Sequence, residues 1–417
     1  NYSGSEVTRK ELFEAAMKGM TGILDDYSVF YTEEESKTFL DSLSSNYVGI
    51  GVQIQSINNQ LVITEVFEGG AAKESGIQVN DIIFKVENES IEGFDMNTVV
   101  SKIVGEEGTY VNIEFMRGSE SLVLELERRK IHIPTVVRKN LDEVYPEYAG
   151  IMDRVAFVEI SSFSDETDED MALLSTQLQA EGIEFLIIDM RGNGGGYLQT
   201  AINLGNLLIP KGQILRLVDK KGIESIYESP LEKAPFSMAI LVDEQSASAT
   251  EIFSAAAQDS KIATIIGETT YGKGVAQYIF PLASDHLVKL TSQEFYSREN
   301  KKINGVGVIP DIEVKNPNAI YSEIKLYSGD QNEEVEQVEE ILSYLGYFKE
   351  KPDQKFDYKT AAAVKAFQSE VGLYSYGVCD FTTQRKLNEE LNKELAVKDL
   401  QIHAALEFAL DFISTNE

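Results

Sequence analysis

Three small hydroxyl side chains, Ser246, Ser248 and Thr250, alternate through QSASATEIF, between the apolar run MAILV and a helix of small residues. A hydroxyl at such a strand-to-helix junction faces the N–H groups and the positive end of the helix dipole, which suits attack on a carbonyl and stabilisation of the resulting oxyanion. The bland alternative is N-capping, which needs one Ser or Thr and which Ser246 or Thr250 can supply. A nucleophilic serine also needs a base. The chain has three histidines; His132 follows a β-rich segment and His403 lies in a terminal helix, so His286 in LASDHLVKLT is the one candidate, although a lone histidine in a polar turn is more often a surface residue. Lys273, in GETTYGKGVAQ, offers another route. A neutral amine accepts the serine proton once its pKa of roughly 10.4 falls by about three units, a differential of about 4 kcal/mol that burial can supply. Gly272 and Gly274 would let other backbone pack against that lysine; the competing reading is a solvated loop lysine flanked by turn glycines.

These residues need a scaffold, and the sequence around them alternates strand and helix. AFVEI, FLIID, MAILV, ATIIG and LVKLTSQEFYS read as strands. DEDMALLSTQLQAEG, with Met171, Leu174 and Leu178 on one face, the segment after RGNGGGY, and the segment from about Thr250 read as helices, an order that fits a helix-covered sheet. RGNGGG lacks the GK[ST] ending and the G-x-G-x-x-G spacing of phosphate loops. Upstream, Thr8-x-x-Glu11 forms a capping box for an amphipathic helix whose stripe (Leu12, Phe13, Ala16, Met17, Met20, Ile23, Leu24) would be core or a contact with a second subunit. Residues 47 to 130 are short strands with glycine-rich turns; around Gly49, Ile50 and Gly51 successive N–H groups can capture a terminal carboxylate while the adjacent strand edge pairs with a peptide. Downstream, YSGDQNEEVEQVEE reads as an acidic linker, and LAVKDLQIHAALEFALDF as a helix apolar on one side, either core or dimer contact.

Composition narrows the function. The 417 residues and 43% hydrophobic content support several cores, and the net charge of −32 argues against nucleic acid as a partner. One cysteine, Cys379, excludes a disulfide framework and a thiolate metal cluster. No apolar run approaches the roughly 18 residues of a membrane helix, and the opening NYSGSEVTRK lacks the regions of a signal peptide, so any anchor or signal is absent from this chain.

Two segments carry resemblances of their own. YVGIG with GAAKESGIQVNDII resembles a PDZ domain. LGYF, KTAAAVKAFQSEVGL and a G..D..T...L ending resemble the small helical peptidoglycan-binding domains, with PDQKFDY replacing that family's glycine-containing turn. The larger pattern, GILDDYSVFY, the PDZ-like segment, EISSFSDET, IIDMRGNGGGYL, LVDEQSASATEIFSAAAQDS, GETTYGKGVAQ and INGVGVIPDIEV in this order over residues 8 to 315, resembles the C-terminal processing peptidases, or tail-specific proteases. The resemblance implies a multidomain α/β protein: a crotonase-like α/β serine protease core with an inserted β-rich PDZ domain, an N-terminal helical segment and a small helical C-terminal domain. The divisions expected are 1–45 (N-terminal segment), 46–130 (PDZ), 131–320 (protease core), 321–331 (acidic linker), 332–395 (peptidoglycan-binding-like) and 396–417 (C-terminal helix).

Carried over by position, the resemblance makes Ser248 the nucleophile, Lys273 the general base and Gln277 the third member, an amide that orients the amine without adding charge. The oxyanion hole falls on the N–H groups of Gly195, Gly196 and Ala249, with Glu251, Asp259 and Thr270 in support. Tyr47, Gly49, Ile50 and Gly51 would bind substrate in the PDZ domain, and Arg128 would couple that binding to the active site. It further implies protein or peptide substrates held by apolar C-terminal tails, no metal or other cofactor, and an extracytoplasmic location in the cell envelope or beyond. Homodimerisation through the N- or C-terminal helices and docking of a regulatory protein or cell wall at the C-terminal domain are open; the acidic chain favours a docking role over glycan. The rival reading is a PDZ-based scaffold that binds tails with little turnover.

Overall fold

The computed structural model describes residues 7–57 and 60–415; the first six residues of NYSGSEVTRK and the last two of the expected C-terminal segment lie outside it. Its centre is a six-stranded sheet in the order 136–139, 155–160, 185–189, 237–242, 263–267, 312–313. All neighbours are parallel except the first pair. The inner strands Phe185–Asp189 and Ser237–Val242 are almost wholly buried, as expected when both faces of a parallel sheet are covered. One face carries the helices Thr167–Glu181, Leu198–Leu208 and Ala249–Asp259, and there Met171 and Leu178 are fully buried on the stripe that the sequence indicates. The helix Leu400–Thr415 covers the other face, packing Ala405, Leu406, Ala409 and Ile413 on the sheet. The apolar side of this helix is therefore core of this chain.

A second sheet joins Val29–Tyr31, Leu287–Tyr296, Gly212–Asp219 and Glu224–Ser229, with Val275–Pro281 also paired to Leu287–Tyr296. It sets the N-terminal strand on one edge of Leu287–Tyr296 and the strand that follows the YGKG loop on the other. The N-terminal helix Arg9–Thr21 begins with the expected capping box at Thr8 and Glu11. Its stripe departs from the core expectation: Leu12, Phe13, Met20, Ile23 and Leu24 are all exposed. The helix touches the body along one narrow edge, where Phe13 meets Phe30 and His286.

The β-rich segment forms its own sheet, in the order 52–57, 60–66, 82–86, 110–117, 120–127, around a core that includes Ile63, Val99, Ile113 and Phe115. A two-stranded ribbon, Asn46–Gly49 against Arg129–His132, joins it to the centre. The ribbon is clamped at the start of helix Thr167–Glu181. Ser45 donates its N–H and hydroxyl to Asp165, Asn46 donates to Glu166 at 2.8 Å, and His132 lies 3.1 Å from Glu166 and 2.9 Å from Asp170.

Near the C-terminus the acidic run read as linker is in large part helix, Glu333–Tyr344, because Val335, Val338, Ile341 and Leu342 form a buried stripe. With Tyr358–Glu370 and Phe381–Leu395 it encloses a small core that includes Cys379. Buried Glu339 accepts the Asp353 N–H and the Thr360 hydroxyl, and so fixes the turn that carries PDQKFDY.

Candidate active site

Ser248 lies just past the C-terminal end of strand Ser237–Val242, as the N-cap of helix Ala249–Asp259. Its backbone, at φ 58° and ψ −114°, occupies a region that costs a non-glycine residue on the order of 1–3 kcal/mol. Glu251 holds it there. The fully buried Glu251 carboxylate accepts the N–H groups of Ser248 (2.8 Å), Gly272 (2.6 Å) and Lys273 (2.9 Å) and the Thr270 hydroxyl (2.6 Å). One side chain thus joins the serine's backbone to the loop that carries the lysine. Ser246 and Thr250 do not compete for the cap: their hydroxyls donate to Met190 O and Asn193 O. Asp259 sits at the far end of the helix, bound to Ser297, Glu299 and Lys301, so its support is to the scaffold.

The glycine turn after strand Phe185–Asp189 lies directly against the serine. Gly195 has φ 97°, and a Cβ on it would come within 2.7 Å of Ala247 O and 2.9 Å of Ala249 N, so any other residue would push the turn off the helix start. Buried Asn193 staples the turn, donating to Ile160 O and accepting the Gly195 N–H at 2.9 Å. The loop glycines do what the sequence suggests: a Cβ on Gly274 would come 2.1 Å from Asn304 N, and Gly272, at φ 86°, lies close against the backbone of residues 305–307.

Lys273 is half-buried, and burial pushes its pKa below the ordinary lysine value. The charge of Lys289 adds to the fall and Glu251 opposes it. The Lys273 Nζ lies 5.0 Å from the centroid of the Tyr27 ring, and Tyr27, Tyr271 and Lys273 line one hollow. Ser248, Ala249, Gly195, Gly196, Lys273 and Gln277 line one cavity of about 510 Å³. Among the described residues no hydrogen bond joins Lys273 to Ser248, and the Gln277 amide donates to Val275 O at 3.1 Å.

No histidine lines that cavity. His286 is buried, contrary to the surface expectation, stacked on Phe30 with one ring nitrogen 3.2 Å from Glu14. His132 belongs to the ribbon clamp, and His403 meets the Tyr148 hydroxyl.

The remaining expected residues lie apart from the cavity, in the β-rich domain. Ile50 is buried, Gly51 has φ 84°, and the Tyr47 ring covers Gly49. Burial pushes the Tyr47 hydroxyl up to about 12. Arg128 is well anchored, donating to the last carbonyls of helix Met96–Ile103 (Lys102 O and Ile103 O) and to Tyr110 O and Thr109 Oγ1. Phe39 and Lys289 line the same cavity as Ser248 and Lys273 and escaped the sequence reading. A lysine in the otherwise apolar start of LVKLTSQEF was the available signal for Lys289.

A parallel sheet with a serine and a glycine turn at the carboxyl ends of adjacent strands, beside a lysine loop, and with a PDZ domain on a stalk, defines a serine-type peptidase. The family models agree: peptidase family S41 matches residues 154–314, the PDZ domain 38–114 and the peptidoglycan binding domain 331–387. The carboxy-terminal processing protease CtpA of Bacillus subtilis is 32% identical over 95% of this chain and 85% of its own length. CtpB of the same organism is 31% identical over 96% and 85%. The chain belongs to the carboxy-terminal processing proteases.

Proposed function

We propose that this peptidase works through a Ser248–Lys273 dyad. Ser248 attacks the scissile carbonyl while neutral Lys273 takes its proton, and Gln277 orients the amine. The tetrahedral oxyanion is held by the glycine turn and the helix start. The Gly195 N–H is engaged by Asn193, which makes Gly196 and Ala249 the donors nearest to hand. The observation that carries this reading is the shared cavity, which gathers all six residues and has no histidine in its lining. For the dyad to close, the lysine amine must leave the Tyr27 ring for Ser248, a movement about the side chain's own torsions. The PDZ domain presents C-terminal tails of extracytoplasmic proteins to this cleft, and Arg128, bridging helix Met96–Ile103 to the ribbon, couples tail binding to closure. An activity-based serine probe tests the reading: labelling of the protein, lost in Ser248→Ala, is expected, and a folded, tail-binding protein that never labels would make it a scaffold instead.

A further inference from the structure

The catalytic cavity carries a charge pattern opposite to that of the chain. The protein has 69 Asp and Glu against 37 Lys and Arg, yet the cavity lining holds two lysines, Lys273 and Lys289, and no carboxylate. Lys289 lies on strand Leu287–Tyr296, opposite Val29 on one side and Ile279 on the other. Its Nζ is 5.0 Å from the Phe39 ring centroid and 5.5 Å from that of Tyr31, two rings stacked at 4.7 Å. Among the described residues it forms no ion pair, although Asp and Glu outnumber Lys and Arg in the chain. The aromatic faces hold the ammonium without neutralising it. Because a general base must be neutral to act, the working cavity retains one cation, and that cation is Lys289.

We propose that Lys289 forms an anionic subsite in the cleft, which takes a carboxylate of the bound polypeptide. Two sources supply that chemistry: an Asp or Glu side chain near the scissile bond, or the chain's own terminal carboxylate threaded into the cleft. The proposal rests on the peptidase reading only in that the cavity is where substrate lies. Burial is the main cause of the fall in the Lys273 pKa, and the smaller contribution of Lys289 is consistent with both ammonium groups facing one space.

The test compares peptide pairs rather than single rates. In one set, peptides with amidated ends differ only by Glu or Gln at successive positions around the cleavage site; in the other, neutral peptides differ only by a free or amidated end. Each pair is measured with the unmodified protein and with Lys289→Met, Lys289→Arg and Lys289→Glu. The acidic member should be favoured about five- to tenfold in kcat/KM, mainly through KM, in at least one set. In the set that responds the ratio should fall in Lys289→Met, to about one for the internal Glu/Gln pairs and to the preference that the PDZ domain alone gives for free against amidated ends, persist in Lys289→Arg and fall further in Lys289→Glu. The set that responds identifies the source. A PDZ preference for free ends survives in Lys289→Met, so only the change on substitution counts. An acid-to-neutral ratio that Lys289→Met leaves unaltered in both sets, even if both rates fall together, overturns the subsite and leaves Lys289 as an electrostatic neighbour of Lys273. Fluorescence anisotropy of the same peptides on Ser248→Ala, with and without Lys289→Met, reads the same ratio without turnover. A protein that lacks peptidase activity altogether would therefore still decide the question.

Discussion

Lys273 shows what a single residue's surroundings dictate. Burial lowers its pKa, so in the native state it loses its proton at a pH where the unfolded chain's lysine keeps one. Two consequences follow with definite signs. Activity rises with pH along a limb set by the lowered pKa and then levels, and Lys273→Arg does not restore it, because a guanidinium stays protonated. Stability is penalised in full below the lowered pKa and recovers as pH rises towards 10.5, so Lys273→Met should raise the neutral-pH Tm while turnover falls by roughly 10²–10⁴-fold. pH–rate profiles and thermal melts check both, and a dead but folded His286→Ala beside an active Lys273→Ala would reinstate a histidine base. Glu251 makes a stricter claim. Glu251→Gln turns a four-fold acceptor into a group with its own N–H donors, and should cost about 2–4 kcal/mol in denaturant unfolding and roughly 10²-fold in kcat/KM through misplacement. A fall in stability alone would confine Glu251 to the scaffold. Residue types and spacing brought the hydroxyl cluster, Lys273 and its glycines into view, and the family resemblance singled out Ser248 and Lys273; the reach of Glu251 across 19 to 22 positions to the lysine loop was not legible, because a carboxylate's partners depend on the fold.

Elements were readable where their period was strong. The strands of the central sheet and the helix with Met171 and Leu178 declare themselves as apolar runs and stripes. The hairpin of Gly212–Asp219 and Glu224–Ser229 did not, since LRLVDKKGIESIYES mixes charge into its alternation and its outer face is exposed. Helix Met96–Ile103, only eight residues long in a segment read as strands and turns, went unnamed, although its Asp95 cap was an available signal. The two terminal helices read alike in sequence but differ in fate, because burial depends on what stands opposite. Helix Leu400–Thr415 faces the open side of the parallel sheet, and Arg191 ties its start down through Asp399 and Gln401. Leu406, fully buried there, should cost about 2–5 kcal/mol on truncation to Ala. Leu410→Ala, at 39% exposure on the same helix, should stay within about 1 kcal/mol. Paired unfolding curves decide it: equal losses would mean that the helix is not docked as described.

On the scale of the whole molecule, the proposals set two recognition surfaces along the path of one polypeptide. The strand Val52–Ile57 forms the edge of the β-rich sheet, paired to Gln60–Val66 on one side, which leaves its other edge for an incoming strand. Directly before it, Gly49, Ile50 and Gly51 turn under the Tyr47 ring, and Gly51 packs on Gly70 so closely that a Cβ would come 2.7 Å from the Gly70 Cα. Such a turn offers N–H groups to the carboxylate of a chain end that extends along the edge. The ribbon Asn46–Gly49 with Arg129–His132 then leads straight to the clamp at Asp165, Glu166 and Asp170, so an event at the turn has a short mechanical route to the protease core. A tail with a free carboxylate should therefore be cleaved faster than its amide, by about tenfold if one charge-assisted contact set is lost. The preference should remain in Lys289→Met, which leaves the turn intact, and should shrink in Gly51→Val, where a β-branched residue cannot hold φ 84° and would strike Gly70. Progress curves on matched acid and amide peptides give the ratio. Equal turnover of the two by the unmodified protein would remove the turn from carboxylate recognition and leave selection of tails to the catalytic cleft.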